Sequence, residues 1–292
     1  MKRKSVISIA VLLALGALLY AQTPNPTSDF SFDLNKDFDA ITITRYNGRT
    51  TRVVVPAEIE GVPVRVIGNE AFYGNRTITE VVIPNTVTTI ANGTGRVYYM
   101  DEGRGAFMGC SNLVSITLPN SLTHIGSRAF AGCAKITSIT IPDSVITIGS
   151  GAFFRSGLTS IKIPDSVVEI GEYTFSICNS LVSVILPNGI TKIARNLFSS
   201  CNNLASVTIP DTVTTIDGGA FEECISLVSI TFPASVKEIW GSAFKNCTNL
   251  SSVVLAEDAK NIFQRWDQFL GCSKMSVQSR IALNRAGYTG SF

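Results

Sequence analysis

A block reading roughly A-F-x-G-C-x-x-L-x-S-I-x-I-P-x-S-V-x-x-I-G returns every 23 residues along most of this chain. A fixed period of that length marks a solenoid, in which each unit buries its apolar face only against its neighbours. Pro119, Pro142, Pro164, Pro187, Pro210 and Pro233 are spaced by 23, 22, 23, 23 and 23 residues. Phe107, Phe130, Phe153, Phe175, Phe198, Phe221 and Phe244 keep step, and Phe72 and Pro84 extend the array upstream. The 35-residue step from Pro84 to Pro119 gives one unit a 12-residue insertion. Pro56 to Pro84 spans 28 residues and marks a longer, degenerate first unit. Eight strand segments are expected, beginning at Ile78, Leu113, Ile136, Leu158, Leu181, Leu204, Leu227 and Leu250.

The N-terminus reads as an export signal. Met1-Lys2-Arg3-Lys4 precedes an apolar run from Val6 to Leu19 and a small residue at Ala21, the pattern of a secretory signal peptide over residues 1–21. That run has 14 residues, short of the ~20 a membrane span needs. The first cysteine is Cys110, so nothing points to a lipid-modified start. Removing the signal leaves 24 − 3 = 21 cationic groups against 22 acidic ones. A balance near −1 argues against a dedicated nucleic-acid or anionic-membrane binder. The chain is thus expected to be secreted, periplasmic or at the cell surface.

The repeat itself dictates one coil. In residues 113–130, Ser115, Ile116, Thr117 and Leu118 alternate out and in, as a half-buried strand does. Pro119 stops the strand, since it lacks a donor for the ladder. Leu122 and Ile125 turn inward along the floor of the coil, and Ala129-Phe130 with Cys133 form the opposite wall, expected as a short helical or 3-10 turn. Gly126 has the look of a left-handed residue, but its column also holds Ala91, Ala194, Asp217 and Trp240, so no strict demand for positive φ is expected there. Ala precedes Phe in six units, leaving room for rings to interleave in a spine. Cys110, Cys133, Cys178, Cys201, Cys224 and Cys247 share one column, with Cys272 beyond it. Their side chains point the same way and their number is odd, which favours buried reduced thiols over disulfides. Neither that spacing nor the single histidine suits a metal site.

These residues resemble the leucine-rich repeats, specifically the bacterial BspA-like class found in treponemes and other host-associated organisms. The matching pattern, L-x-x-I-x-I-P-x-S-V-x-x-I-G-x-x-A-F-x-x-C, covers about residues 40–275. The opening Ile41-Thr-Ile-Thr-Arg-Tyr-Asn-Gly48 with Val53-Val-Val-Pro56, and the closing Ala286-Gly-Tyr-Thr-Gly-Ser-Phe292, are similar to that class too. The resemblance implies a leucine-rich-repeat solenoid with a parallel β-sheet on its concave face, about eight regular repeats and a cap at each end. It also implies a surface adhesin that attaches to host extracellular matrix proteins or to neighbouring bacteria. One departure stands out. The usual asparagine beyond each strand is replaced by Thr86, Ser121, Ser144, Ser166, Gly189, Thr212 and Ser235, so hydroxyl-to-backbone bonds are expected to do part of its work.

The chain therefore divides into the signal (1–21), a disordered lead (22–28), an N-terminal cap and degenerate repeat (29–68), the array (69–256, insertion at about 92–105) and a C-terminal cap (257–292). Open rungs cannot end a stack. A hairpin around Asn35-Lys36-Asp37 is expected at one end. At the other, Phe263, Trp266, Phe269 and Leu270 are expected to cover the last rung, with a helix over 276–286 ended by Gly287. Trp266 is read as part of that cover.

Little in the sequence points to catalysis. His124 is the only histidine, at a variable turn, and reads as solvated. No nucleophilic triad, phosphate loop, HExxH or clustered CxxC can be assembled, so neither cofactor nor metal is expected. A carboxylate-only glycan hydrolase needs two acids, and the outward strand positions offer only Glu80. Binding has two candidate surfaces. The outward sheet column reads Glu80, Ser115, Ser138, Ser160, Ser183, Ser206, Ser229, Ser252, and its companion Val82, Thr117, Thr140, Lys162, Ile185, Thr208, Thr231, Val254. At ~4.8 Å per strand this hydroxyl face runs about 35 Å. Ser and Thr also simply suit exposed strand positions, so the face reads either as plain solvated sheet or as a groove for an extended protein or glycan partner. The insertion is the second, where flexible glycines are joined to Arg96, Tyr98, Tyr99 and Arg104, residue types that anchor interfaces. Self-association into an envelope structure is the alternative to adhesion.

Overall fold

In a computed structural model, residues 23–95, 103–257 and 259–292 are described, so the expected signal segment lies outside them. They form a parallel-strand solenoid of about nine turns, with one 3-10 turn at Thr27–Asp29 and one α-helix, α1 (Val277–Arg285). Most coils contribute to two parallel strips. In the first, Ser160, Ser183 and Ser206 pair in register, as do Glu80 with Ser115 and Ser229 with Ser252. The second, at the expected floor of the coil, stacks two-residue strands such as His124–Ile125, Thr147–Ile148 and Glu169–Ile170. The first strip is not continuous. Residues 136–141 form no strand, and Ile116 and Ile139 there are only partly buried.

The opposite wall is a ladder of rings. From Phe72 to Phe269 successive phenylalanines stack with centroids 4.7–5.6 Å apart and planes within 19° of parallel. Tyr46 and Phe30 prolong it at the N-terminal end. Along this wall the chain makes hydrogen-bonded turns in place of the expected helical or 3-10 turns, and the reason lies in φ. The residue two before six of the nine rings (Arg128, Gly151, Tyr173, Asn196, Gly219, Ser242) and the residue two after every ring (Gly74, Gly109, Gly132, Arg155, Ile177, Ser200, Glu223, Asn246, Gly271) are left-handed. Left-handed residues interrupt any right-handed helix. They aim alternate N–H groups at the next coil: Gly109 N–H donates to Ala131 O, Phe107 N–H to Ala129 O, each at 2.8 Å. Gly126 is not among the left-handed residues; it is small because a Cβ would lie 2.0 Å from Ala91 O.

Two further columns tie coil to coil. Each cysteine Sγ donates to the carbonyl of the ring one coil back, as Cys201 does to Phe175 O (3.0 Å) and Cys224 to Phe198 O (3.1 Å). All seven are buried free thiols. Burial raises them, to about 12 for Cys110 and Cys272 and about 11 for Cys178, so little reactive thiolate forms. The hydroxyls that replace the asparagine column also donate backward: Ser121 to Val87 O (2.6 Å), Ser144 to Leu122 O (2.7 Å), Ser166 to Val145 O (2.8 Å), Thr212 to Ile190 O (2.7 Å). Ser235 breaks the series, its buried Oγ having no hydrogen-bond partner.

Both ends are closed. Strands β1 (Phe30–Leu34) and β2 (Ile41–Tyr46) pair antiparallel and turn the N-terminal edge away from further growth. At the C-terminal end the columns run on into the expected cap, since Phe269 and Cys272 complete another rung. The cover over that rung is Tyr288, not Trp266, which is 59% exposed. A covering group must supply the acceptor that a next coil would have given. The Tyr288 hydroxyl accepts from Phe269 N–H (3.3 Å) and donates to Trp266 O (2.9 Å), whereas an indole has no acceptor. On the first strip, Ser279 of α1 does the same for Val253 N–H (2.9 Å).

Candidate binding surfaces

Stacking in register makes the outward column a physical line. Ser115, Thr117, Ser138, Thr140, Ser160, Lys162, Ser183, Ser206 and Thr208 are all exposed. Among the described residues, the hydroxyls of Ser115, Ser138, Ser160, Ser183 and Ser206 make no hydrogen bond within the chain. Glu80 at the head of the line pairs with Arg52 at 3.1 Å, and Lys162 is exposed in the companion column. Sequence reasoning missed the valines that flank this line. Val114, Val182 and Val228 are 52%, 49% and 50% exposed, and Ile185 is 59% exposed. The signal was present in the triplets Leu113-Val114-Ser115, Leu181-Val182-Ser183 and Leu227-Val228-Ser229, whose middle residue faces out beside each serine. The face is thus a hydroxyl line edged by aliphatic side chains, a mixture of hydrogen-bonding and apolar contact suited to another macromolecule.

The insertion resolves into two parts. Arg96, Tyr98 and Tyr99 lie outside the described residues. Arg104 does not join the sheet face: its guanidinium pairs with Glu70 at 2.8 Å and lies 5.3 Å from the Tyr73 ring centroid. The stems are shaped by Arg128, which is 1% exposed and which sequence reasoning passed over. Its Nη1 donates to Thr94 O at 2.6 Å. A Cβ at Gly103 would sit 1.2 Å from that nitrogen, and one at Gly95 2.8 Å from it. The glycines expected to confer flexibility instead make room for a buried guanidinium. His124, expected to be solvated, is half-buried beside this stem, with Nδ1 against Thr147 Oγ1 and Nε2 3.2 Å from Asn92 Oδ1. Burial lowers its pKa, with Glu169 opposing.

For chemistry the site offers little. Among the described residues no group of three or more His, Cys, Asp or Glu is placed to hold a metal ion. Nor is any helix there long and apolar enough to cross a membrane.

Comparison with known proteins decides the family. The model of the BspA type leucine rich repeat region matches in six copies, over residues 55–94, 103–216 and 191–281. The chain belongs to the BspA-type leucine-rich-repeat family. It is similar to the crystal structure of a T. pallidum leucine-rich-repeat protein (TpLRR), at 28% identity and TM-score 0.60, covering 92% of this chain and 99% of that one. A leucine-rich-repeat protein from Bacteroides ovatus matches at 28% identity and TM-score 0.67, covering 85% of this chain and 68% of the other. No curated protein matches. A BspA-type array is a scaffold for protein interaction, because stacking exposes an extended, regular surface.

Proposed function

We propose that this BspA-type protein is an exported, non-enzymatic surface module of the adhesin type, engaging host matrix proteins or other bacterial surfaces through its sheet face. The observation that carries this is the exposed serine line. Its hydroxyls hold no partner in the chain, while the chain's other hydroxyl column is almost fully engaged. Flanking valines add the apolar contact that weak hydrogen bonds to solvated hydroxyls lack. Arg96, Tyr98 and Tyr99 of the insertion form a second, separate candidate contact.

Mature protein captured on fibronectin, laminin, collagen, fibrinogen and bacterial cells tests this. Binding to at least one of these, weakened roughly tenfold or more by Ser183→Arg with Ser206→Arg, is the expected result. Binding to none, or binding indifferent to those arginines, overturns it. The insertion is tested by replacing only 96–102 with Gly-Ser, because removing 93–104 would strip Thr94 O from buried Arg128 and confuse folding with binding. Assembly with itself, dependent on concentration and without any other ligand, would favour the envelope reading.

A further inference from the structure

Both tryptophans of this chain are exposed, Trp240 at 41% in the last coil of the array and Trp266 at 59% in the C-terminal cap. Trp240 stands in a column that holds Gly126, Gly149, Gly171, Ala194 and Asp217 in the coils before it, so the fold does not ask for an indole there. Beside it opens a cleft of about 530 Å³, within the range of small-ligand sites. It lies past the second strip, at the corner before the ring wall, and not on the serine line. The inference therefore stands or falls independently of the sheet-face reading.

The lining is specific in its chemistry. Gly218 and Gly241 lie where other coils carry larger side chains, such as Glu172 and Arg195. A Cβ at Gly241 would be 2.8 Å from Arg265 Cδ, so the arginine stem packs directly onto the backbone. Arg195 and Arg265 face three carboxylates, Glu172, Asp217 and Asp267. Lys192 pairs with Asp217 at 3.2 Å, and Ser242 Oγ donates to Asp267 Oδ2 at 2.8 Å, which fixes two of the acids in place. With Lys192 included, three positive groups meet three negative ones. A balanced field selects neither polyanion nor polycation. What remains is planar forks of donors and acceptors set around an exposed indole. Such forks address pairs of neighbouring hydroxyls, and an indole face takes a flat array of C–H groups.

We propose that this cleft binds a neutral saccharide, with one ring stacked on Trp240 and its hydroxyls shared among Arg195, Arg265 and Asp217. An apolar ligand would strip water from these charged walls without replacing the hydrogen bonds lost, whereas saccharide hydroxyls can donate and accept.

The test is tryptophan emission of the full chain titrated with maltohexaose, cellohexaose, xylohexaose and N-acetylchitohexaose, beside an array of neutral, sialylated and sulfated glycans. A saturable emission change with one or more neutral glycans is expected, and it should persist in Trp266→Phe, which assigns it to Trp240. Trp240→Ala should weaken binding at least about tenfold and Trp240→Phe much less, the stacking plate being retained. Asp217→Asn should weaken it as well, with melting lowered by no more than a partly exposed ion pair contributes. The proposal is overturned if no neutral glycan binds, if only charged glycans or acidic peptides bind, or if Trp240→Ala binds as wild type does.

Discussion

Two columns of hydroxyls run along this solenoid with the same period and nearly the same composition, yet they do opposite things. Ser121, Ser144, Ser166 and Thr212 point back along the stack, each donating to a carbonyl one coil earlier. Ser115, Ser160, Ser183 and Ser206 point out and make no bond within the chain. Period therefore fixes where a residue stacks, and the direction of its Cβ fixes whether it holds the rod together or is left for something else. The inward column replaces an asparagine ladder at lower side-chain cost, since a hydroxyl has fewer rotamers to lose. The outward column carries no such duty and can be altered without harm to the stack.

The largest expected effect sets the scale for everything inward. Phe221→Ala removes a fully buried ring between Phe198 and Phe244 and should cost about 3–5 kcal/mol through the cavity. A loss in chemical denaturation no larger than that of an exposed substitution would deny that the wall is one continuous ladder. Next comes Ser144→Ala, which deprives Leu122 O of its hydroxyl donor and should cost about 1 kcal/mol. Ser235→Ala is its control. The Ser235 hydroxyl is buried without a partner, so its removal should be neutral or stabilising. Equal losses at both positions would erase the distinction between an engaged hydroxyl and an idle one.

Backbone strain sharpens the comparison from the other side. Ile177 is β-branched at φ +59°, where its column elsewhere offers Gly74, Gly109 and Gly132. Left-handed backbone costs an L-residue about 1–2 kcal/mol, and glycine returns part of that as unfolded-state entropy. Ile177→Gly should therefore gain about 0.5–1 kcal/mol, while the same change at Ile185 in the first strip should lose stability. A loss at both would mean the left-handed column tolerates any side chain for free.

These positions also show how far the sequence could be read. The rings, cysteines and inward hydroxyls were legible because stacking forces one residue type onto one column. The left-handed positions were not, since glycine fills only part of each: Arg155, Ile177, Ser200 and Glu223 share the φ of Gly132. Of the expected C-terminal cover, Phe263 packs edge-on against Phe269 while Trp266 stands exposed; Tyr288 was not legible because the last rung needs a hydrogen-bond acceptor as well as a ring. The insertion's glycines were read as loose chain because the guanidinium they enclose comes from Arg128, one coil later. Exposed Val114, Val182 and Val228 went unremarked because half-exposed valine is ordinary on a strand until register lines it up.

His124 gives a smaller, pH-dependent signal at the insertion stem. Burial lowers its folded-state pKa below the unfolded value of 6.5, so the folded chain prefers the neutral ring. Its contribution is present above about pH 6.5 and is lost as pH falls through the folded pKa. The melting temperature should drop between pH 7.5 and pH 5 by more in wild type than in His124→Gln; equal drops would remove the histidine from the account.

The smallest expected effect on stability is also the most informative about function. Ser183→Ala with Ser206→Ala removes two exposed hydroxyls that hold nothing in the chain, and should leave stability within about 0.5 kcal/mol of wild type. Set beside Ser144→Ala, the pair isolates direction as the only variable, since residue type and solenoid period are shared. If the outward pair destabilises as the inward serine does, those hydroxyls are structural and the sheet face loses its claim to be a binding surface. If stability is untouched while capture of a matrix or bacterial partner weakens, the outward column is free because it is used.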